Sequence, residues 1–191
     1  GTAVVLLGIV SQEEAFGAID LNVIFLLAGM MVMAGILRRT GFFQWVAIRS
    51  VKVAGGDPFR LLIVLSTVCA LLSAVLDNVT TVVLIAPVTI YIATVLRVSP
   101  VPFLISEILA SNIGGTATLI GDPPNILIGS AAGLGFDAFL LNMAPVAFLI
   151  FLIFLAMTRL FFGREFAVHA EVRDAVLALD EDELLTDRRL L

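Results

Sequence analysis

Two short blocks bring chemically capable side chains together inside otherwise apolar sequence. The first, Asp77-Asn78-Val79-Thr80-Thr81, sets a carboxylate, an amide and two hydroxyls where one apolar run meets the next. The second, Ser111-Asn112-Ile113-Gly114-Gly115-Thr116-Ala117-Thr118-Leu119-Ile120-Gly121-Asp122-Pro123-Pro124-Asn125, holds three glycines and two prolines among small polar residues. Proline removes a backbone donor and glycine gives up backbone entropy, so this stretch is not expected to continue as a regular helix. The freed carbonyls, with carboxylates, suit a hard cation such as Na⁺. Amide donors at a helix N-terminus suit an anion. The chemistry on offer is ion binding.

The surroundings set where that chemistry takes place. The chain of 191 residues is 60% hydrophobic and 14% charged, with a mean hydropathy of +1.12. Its apolar residues come in long blocks rather than alternating strands, which reads as an all-α integral membrane bundle and not a β-barrel. The net charge of −5 reflects acidic residues in the tail and one loop, and no basic, aromatic-laced patch points to nucleic acid. The single Cys69 excludes an internal disulfide. Broken backbone at membrane depth survives only when buried in protein or lining a watery cavity, and such a break is a strong sequence pointer to a transporter's binding site.

The elements expected to position the two blocks follow in order. Residues 1–10 read as the end of a spanning helix, and Ser11 to Asp20 as a short loop. Leu21 to Leu37 is a span stopped by Arg38-Arg39. Phe42 to Val53 is an amphipathic interfacial helix, and Gly55-Gly56-Asp57-Pro58 ends it. The uncharged runs 61–76 and 79–96 flank Asp77-Asn78, as two full spans or as a re-entrant hairpin. Residues 98–133 form a broken helix, unwound at 111–125, resuming at Asn125 and ending near Gly133. Ala138 to Phe162 is a long span with Pro145 as a possible kink. Residues 163–191 are a charged, amphipathic tail. With Leu21–Leu37 running inward, all 11 Lys and Arg residues fall on the cytoplasmic side, as the positive-inside rule requires.

Three carboxylates have competing readings. Asp77 is a desolvated group that titrates with the transported ion, or a cap for local amides. Asp122, before two prolines, is an ion ligand or a helix cap. Glu107, about five residues ahead of Asn112, is part of a proton relay or pairs with a basic residue on another helix. Gly129-Ser130-Ala131-Ala132-Gly133 forms a GxxxG pattern for close packing, and Gly29 and Gly35 suggest the same. His169 and the acidic run 180–183 read as solvated surface.

The segments "LDNVTTVVLIAPVT" (76–89) and "SNIGGTATLIGDPPNILI" (111–128) closely resemble the ArsB/NhaD permease family. That family includes arsenite permeases, NhaD-type sodium/proton antiporters and the melanosomal P protein. It lies within an ion-transporter superfamily that also holds citrate and dicarboxylate symporters. The match to the P-protein-like branch rests on Asp77–Thr81, Glu107 and Gly121–Asn125. The resemblance implies an inverted-repeat fold in which a hairpin tip meets the unwound centre of a broken helix. It makes 58–97 the hairpin, with its tip at 77–81, 111–125 the unwound loop and 134–162 the following span. The tail then lies in the cytoplasm. A second repeat of the same permease, or a partner chain, would complete the site, and a homodimer is expected.

On that footing Asp77, Asn78, Asn112 and the backbone of Gly114 and Gly115 are expected around a Na⁺ or proton site. Thr80, Thr81, Ser111, Thr116, Thr118, Asp122 and Asn125 are further ion or substrate contacts. Asp77, Glu107 and Asp122 are the candidates for proton coupling. No cofactor is expected beyond a coupling Na⁺ or H⁺. The function so indicated is secondary active transport of a small inorganic or organic ion, an anion first, coupled to Na⁺ or H⁺ by alternating access across a bacterial-type plasma membrane, with Na⁺/H⁺ antiport or a passive anion channel as the alternatives. A passive channel would need a continuous polar path. An intramembrane enzyme would need a catalytic set that a lone tail histidine does not supply.

Overall fold

The computed structural model describes residues 2–162. Among them the fold is all-α, an integral membrane helical bundle. Its elements are α1 (Thr2–Leu6), α2 (Gln12–Gly17), α3 (Leu21–Arg39), α4 (Phe42–Ala54), α5 (Pro58–Ser73), α6 (Asn78–Val95), α7 (Val101–Gly115), α8 (Pro123–Ala132) and α9 (Phe136–Phe162). Where apolar residues run on without periodicity, the ends are set by caps. Asp20, Asp57 and Asp77 each accept backbone N–H bonds ahead of α3, α5 and α6. By length and composition α3, α6 and α9 can cross a membrane, while α5 and α7 are shorter apolar helices.

Several boundaries differ from the sequence expectation. The loop 11–20 holds α2, because Ser11 and Glu14 form a reciprocal capping box. The first helix ends at Leu6, short of residue 10. Ser111 to Gly115 stay helical, so the break is confined to 116–122. The chain re-enters a helix at Pro123 and not Asn125, since prolines in the first turn lack only N–H groups that a helix start leaves unpaired. Helix α9 continues through Pro145. A Cβ on Gly29 or Gly35 would meet nothing within 4 Å, so neither makes a close packing contact here. In the GxxxG pattern, Gly129 makes room for Leu119 of the break, whereas Gly133 (φ +64°) is the left-handed cap of α8. The readings of residues 163–191, His169 among them, lie outside the described residues.

Two layers of core fix the orientation of the central helices. One joins Ala47, Ile48 and Val51 of α4 to Leu61, Leu62 and Leu65 of α5, Ile92 of α6 and Phe103 of α7. The other joins Phe43 of α4 to Cys69 and Ala70 of α5, Ile85 of α6 and Ala110 of α7. Thus α5 and α7 run parallel and α6 runs back between the same two layers. Helix α4 lays one face on this trio and leaves Arg49 and Val53 exposed. Several polar side chains within helices are satisfied locally: Ser50, Thr67 and Thr158 donate to carbonyls one turn back.

The closest approach is between α5 and α7. A Cβ on Gly114 would lie 2.0 Å from the Ala70 carbonyl oxygen, a position no side chain can occupy without moving backbone. Small residues at helix interfaces are what allow such backbone contact in membranes. Gly114→Ala is therefore expected to force the two helices apart and cost about 1–3 kcal/mol, as overpacking does. Gly29→Ala, facing open space, is expected to be neutral or slightly stabilising. Thermal unfolding midpoints of the two variants in detergent check this contrast.

A second tie joins α3 to α8, where Ser130 donates its hydroxyl to Asp20. That bond, with N–H groups of Val23 and Asn22, holds Asp20 below the ordinary value of 3.8. A lowered acid contributes stability above its unfolded-state pKa and loses it as pH falls through its folded-state value. The α3–α8 contact is expected to loosen on acidification through that range. Ser130→Ala should make crosslinking between cysteines placed on α3 and α8 less sensitive to acid.

Candidate functional site

The turn 74–77 that joins α5 to α6 meets the break after α7, and backbone sterics bring them together. Gly115 and Gly121 face each other across the break: a Cβ on Gly121 would sit 2.6 Å from both the Gly115 and Ser73 carbonyl oxygens. Thr118, in the middle of the break, donates its hydroxyl to the Ala74 carbonyl at 2.5 Å. The Thr118 hydroxyl oxygen in turn accepts the N–H of Gly121 at 3.0 Å. Asn125, buried at the start of α8, donates its amide to the carbonyls of Gly115 (3.1 Å) and Thr118 (2.9 Å). Unwound backbone in an apolar setting must find partners, and Thr118 and Asn125 supply them.

On the outer side of this junction Asn78 donates its amide to the Asn112 side-chain oxygen at 2.8 Å. The pair borders a hollow of about 200 Å³ whose walls are Val79, Val82, Val83, Ile108 and Ser111. Asn112 is exposed and Asn78 partly so, so both amides retain groups free to contact a ligand. Asp77 caps α6: one carboxylate oxygen accepts the Thr80 N–H at 2.7 Å and the other the Thr80 hydroxyl. The capping alternative for Asp77 is thus the one the geometry contains. Asp122 makes no capping hydrogen bond to α8, unlike the cap reading. Its carboxyl lies within electrostatic reach of that of Asp77, so two acidic side chains share this end of the hairpin.

Other residues singled out in the sequence have different surroundings from those expected. Gly114 and Gly115 do not open their backbone toward a cation, because they are helical and packed on α5 and the break. The Thr81 and Thr116 hydroxyls donate to the carbonyls of Asp77 and Ile113, as the Ser111 hydroxyl does to Ile108. Thr80 and Thr118 are used as described above. These five side chains hold local structure, and the exposed amide pair is left as the outward-facing chemistry. The N-terminus of α8 offers few amide donors to an anion: Pro123 and Pro124 have none, and Asn125 N–H bonds the Asp122 carbonyl. Glu107 is fully buried and takes the Thr89 hydroxyl at 2.6 Å rather than a basic partner. Thr89 was not singled out in the sequence. Nothing in the apolar run set it apart; in the structure it lies with Thr81, Ile85 and Ile92 on the buried face of α6.

Replacing Asn125 should release the break. Asn125→Leu keeps bulk but leaves the Gly115 and Thr118 carbonyls without their donors, at a cost of about 1–3 kcal/mol for each buried group left unpaired. Hydrogen exchange over residues 116–122 is expected to accelerate in this variant, with α9 little affected.

The chain matches the citrate transporter family, CitMHS, over residues 1–185. It is 47% identical to an uncharacterized transporter of Mycobacterium bovis over 99% of this chain and 45% of that protein. It is 46% identical to a 46 kDa membrane protein of Mycobacterium leprae, over 98% of this chain and 45% of the relative. The human P protein is 40% identical over 75% of this chain and 18% of its own length. The chain thus spans a little under half the length of the mycobacterial relatives it matches. A bundle whose hairpin turn is bonded to a break between two helices, with this match over nearly every residue, belongs to the citrate transporter family of membrane transporters.

Proposed function

We propose that this chain forms one half of the ion pathway of a secondary active permease of the ArsB/NhaD type, working by alternating access in a bacterial-type plasma membrane. The observation that carries the reading is the Asn78–Asn112 bond, which joins the hairpin turn to the helix before the break at the edge of an open hollow. A polar pair at the meeting of two helix interruptions is a place where an ion can exchange its hydration shell for protein groups. The hairpin is read as re-entrant. Its turn meets the break, and α8 continues for 10 residues, roughly 15 Å, beyond that level. The remaining ligands would come from the part of the parent protein that the longer relatives possess, and a homodimer is the expected assembly.

The cargo proposed first is a small carboxylate anion, because the family is described as a citrate transporter and because Asn78 and Asn112 carry amide donors. Na⁺ or H⁺ is the coupling ion, with Asp77 and Asp122 as the nearest charges. A second reading, Na⁺/H⁺ exchange, draws support from those two neighbouring carboxylates and from the lack of amide donors on Pro123 and Pro124. The test is uptake by full-length permease in proteoliposomes, with citrate, chloride, arsenite and Na⁺ each offered under imposed Na⁺ and pH gradients. Asn78→Ala and Asn112→Ala are expected to lose uptake of the true cargo, and Asp77→Asn to uncouple it from the driving ion. Concentrative uptake that survives all three changes would end the proposal, and flux only down its own gradient would make the protein a channel.

A further inference from the structure

Glu107 stands apart from the site above. It lies on α7 two turns before Gly114 and is fully buried among α5, α6 and α7. Its two carboxylate oxygens have different surroundings. Oε1 accepts the Thr89 hydroxyl from α6 at 2.6 Å, whereas Oε2 is buried with no hydrogen-bond partner among the described residues. A buried polar atom left unpaired in a low-dielectric interior is costly, so a fold that keeps one there calls for a reason. Among the described residues the hydroxyls of Ser106, next to it on α7, and of Ser66 on α5 are likewise buried without partners.

Among the described residues no charged side chain pairs with Glu107; on α4, Arg49 is exposed and Lys52 half-buried. Cys69 of α5 is within its electrostatic reach. Arg60 and Tyr91 of α5 and α6 are exposed. On α9, Asp137 is exposed in the first turn and Arg159 lies over the Phe59 ring. A bare Na⁺ would need several oxygen ligands around it, and among the described residues no cluster of acidic, histidine or cysteine side chains offers a metal-like site. A single unpartnered oxygen matches the needs of a proton, which requires one lone pair.

We propose that Glu107 is an interior proton-carrying residue, with Oε1 held by Thr89 and Oε2 as the atom that gains and loses the proton. The division of labour is geometric. Protonation forms one O–H bond at Oε2 and removes the negative charge; release breaks that bond and returns the proton to water. In both states the Thr89 hydroxyl can keep donating to Oε1, so the α6–α7 joint persists through the cycle. This rests on the transport reading above, but names a proton site separate from the Asn78–Asn112 face.

Carbodiimide labelling tests it without requiring flux, because dicyclohexylcarbodiimide adds to protonated carboxyls in apolar surroundings. In the full-length permease in liposomes, peptide mass spectrometry is expected to find the adduct on Glu107, with labelling that falls as pH rises. In the flux assay Glu107→Gln keeps an oxygen to accept from Thr89, so a purely structural role predicts wild-type behaviour. The proton role predicts loss of pH-gradient-driven uptake, with partial recovery in Glu107→Asp. No adduct at any pH, an adduct independent of pH, or a Glu107→Gln permease that still responds to a pH gradient like wild type would each overturn the proposal. A wild-type protein that labels at Glu107 but moves no cargo would instead count against the transport reading alone.

Discussion

Backbone lies on backbone where α5 meets α7, and most of the site geometry follows from that contact. Gly114 sits against the Ala70 carbonyl, and Gly115, Gly121 and Ser73 close around one another just beyond it. In lipid, apolar side chains gain little by leaving one apolar medium for another, so association relies on close van der Waals packing and on hydrogen bonds. Glycine permits the approach. The approach in turn carries the turn 74–77 to the level of the break, where Thr118 can reach the Ala74 carbonyl. Without that depth match Asn78 would not meet Asn112.

The break is held by hydrogen bonds from very few side chains. Asn125 and Thr118 satisfy the Thr118 carbonyl and Gly121 N–H within the break and the carbonyls of Gly115 and Ala74 at its borders. The hydroxyls of Thr80, Thr81, Thr116 and Ser111 likewise serve their own backbone or cap. A cluster that looks rich in ligands as a sequence is thus spent mainly on its own scaffold, which leaves the Asn78 and Asn112 amides facing the hollow. The arrangement is closely packed on the α5–α7 side and open beside α6.

Much of this was legible in the residues. Uninterrupted apolar runs and the glycine-proline stretch indicated the helical membrane class and a break near the right place, whereas the residues left a hairpin or two full spans open at 61–96 and only the family resemblance favoured the hairpin. The length of the break was not legible. Gly114 and Gly115 look like helix breakers, yet they remain helical because the i→i−4 bonds continue through them and their missing side chains serve packing. Two prolines look like the heart of an interruption, yet they begin α8, where absent N–H groups cost nothing. Thr89 was passed over because one hydroxyl in an apolar run has no distinguishing context until its partner on another helix is known.

By itself, then, the sequence determined local matters: which segments are apolar enough to be helices in lipid, where capping groups start them and where backbone must depart from regularity. Those follow from bonds and solvation within a few residues. Only the tertiary structure decided which polar groups meet. Asn78 with Asn112, Glu107 with Thr89 and Thr118 with Ala74 are separated by 34, 18 and 44 residues, and their pairing depends on helix depth and rotation. Those are set by a glycine-to-backbone contact in which absence of a side chain is the deciding feature, and propensity or hydropathy along the chain does not encode what that absence will face.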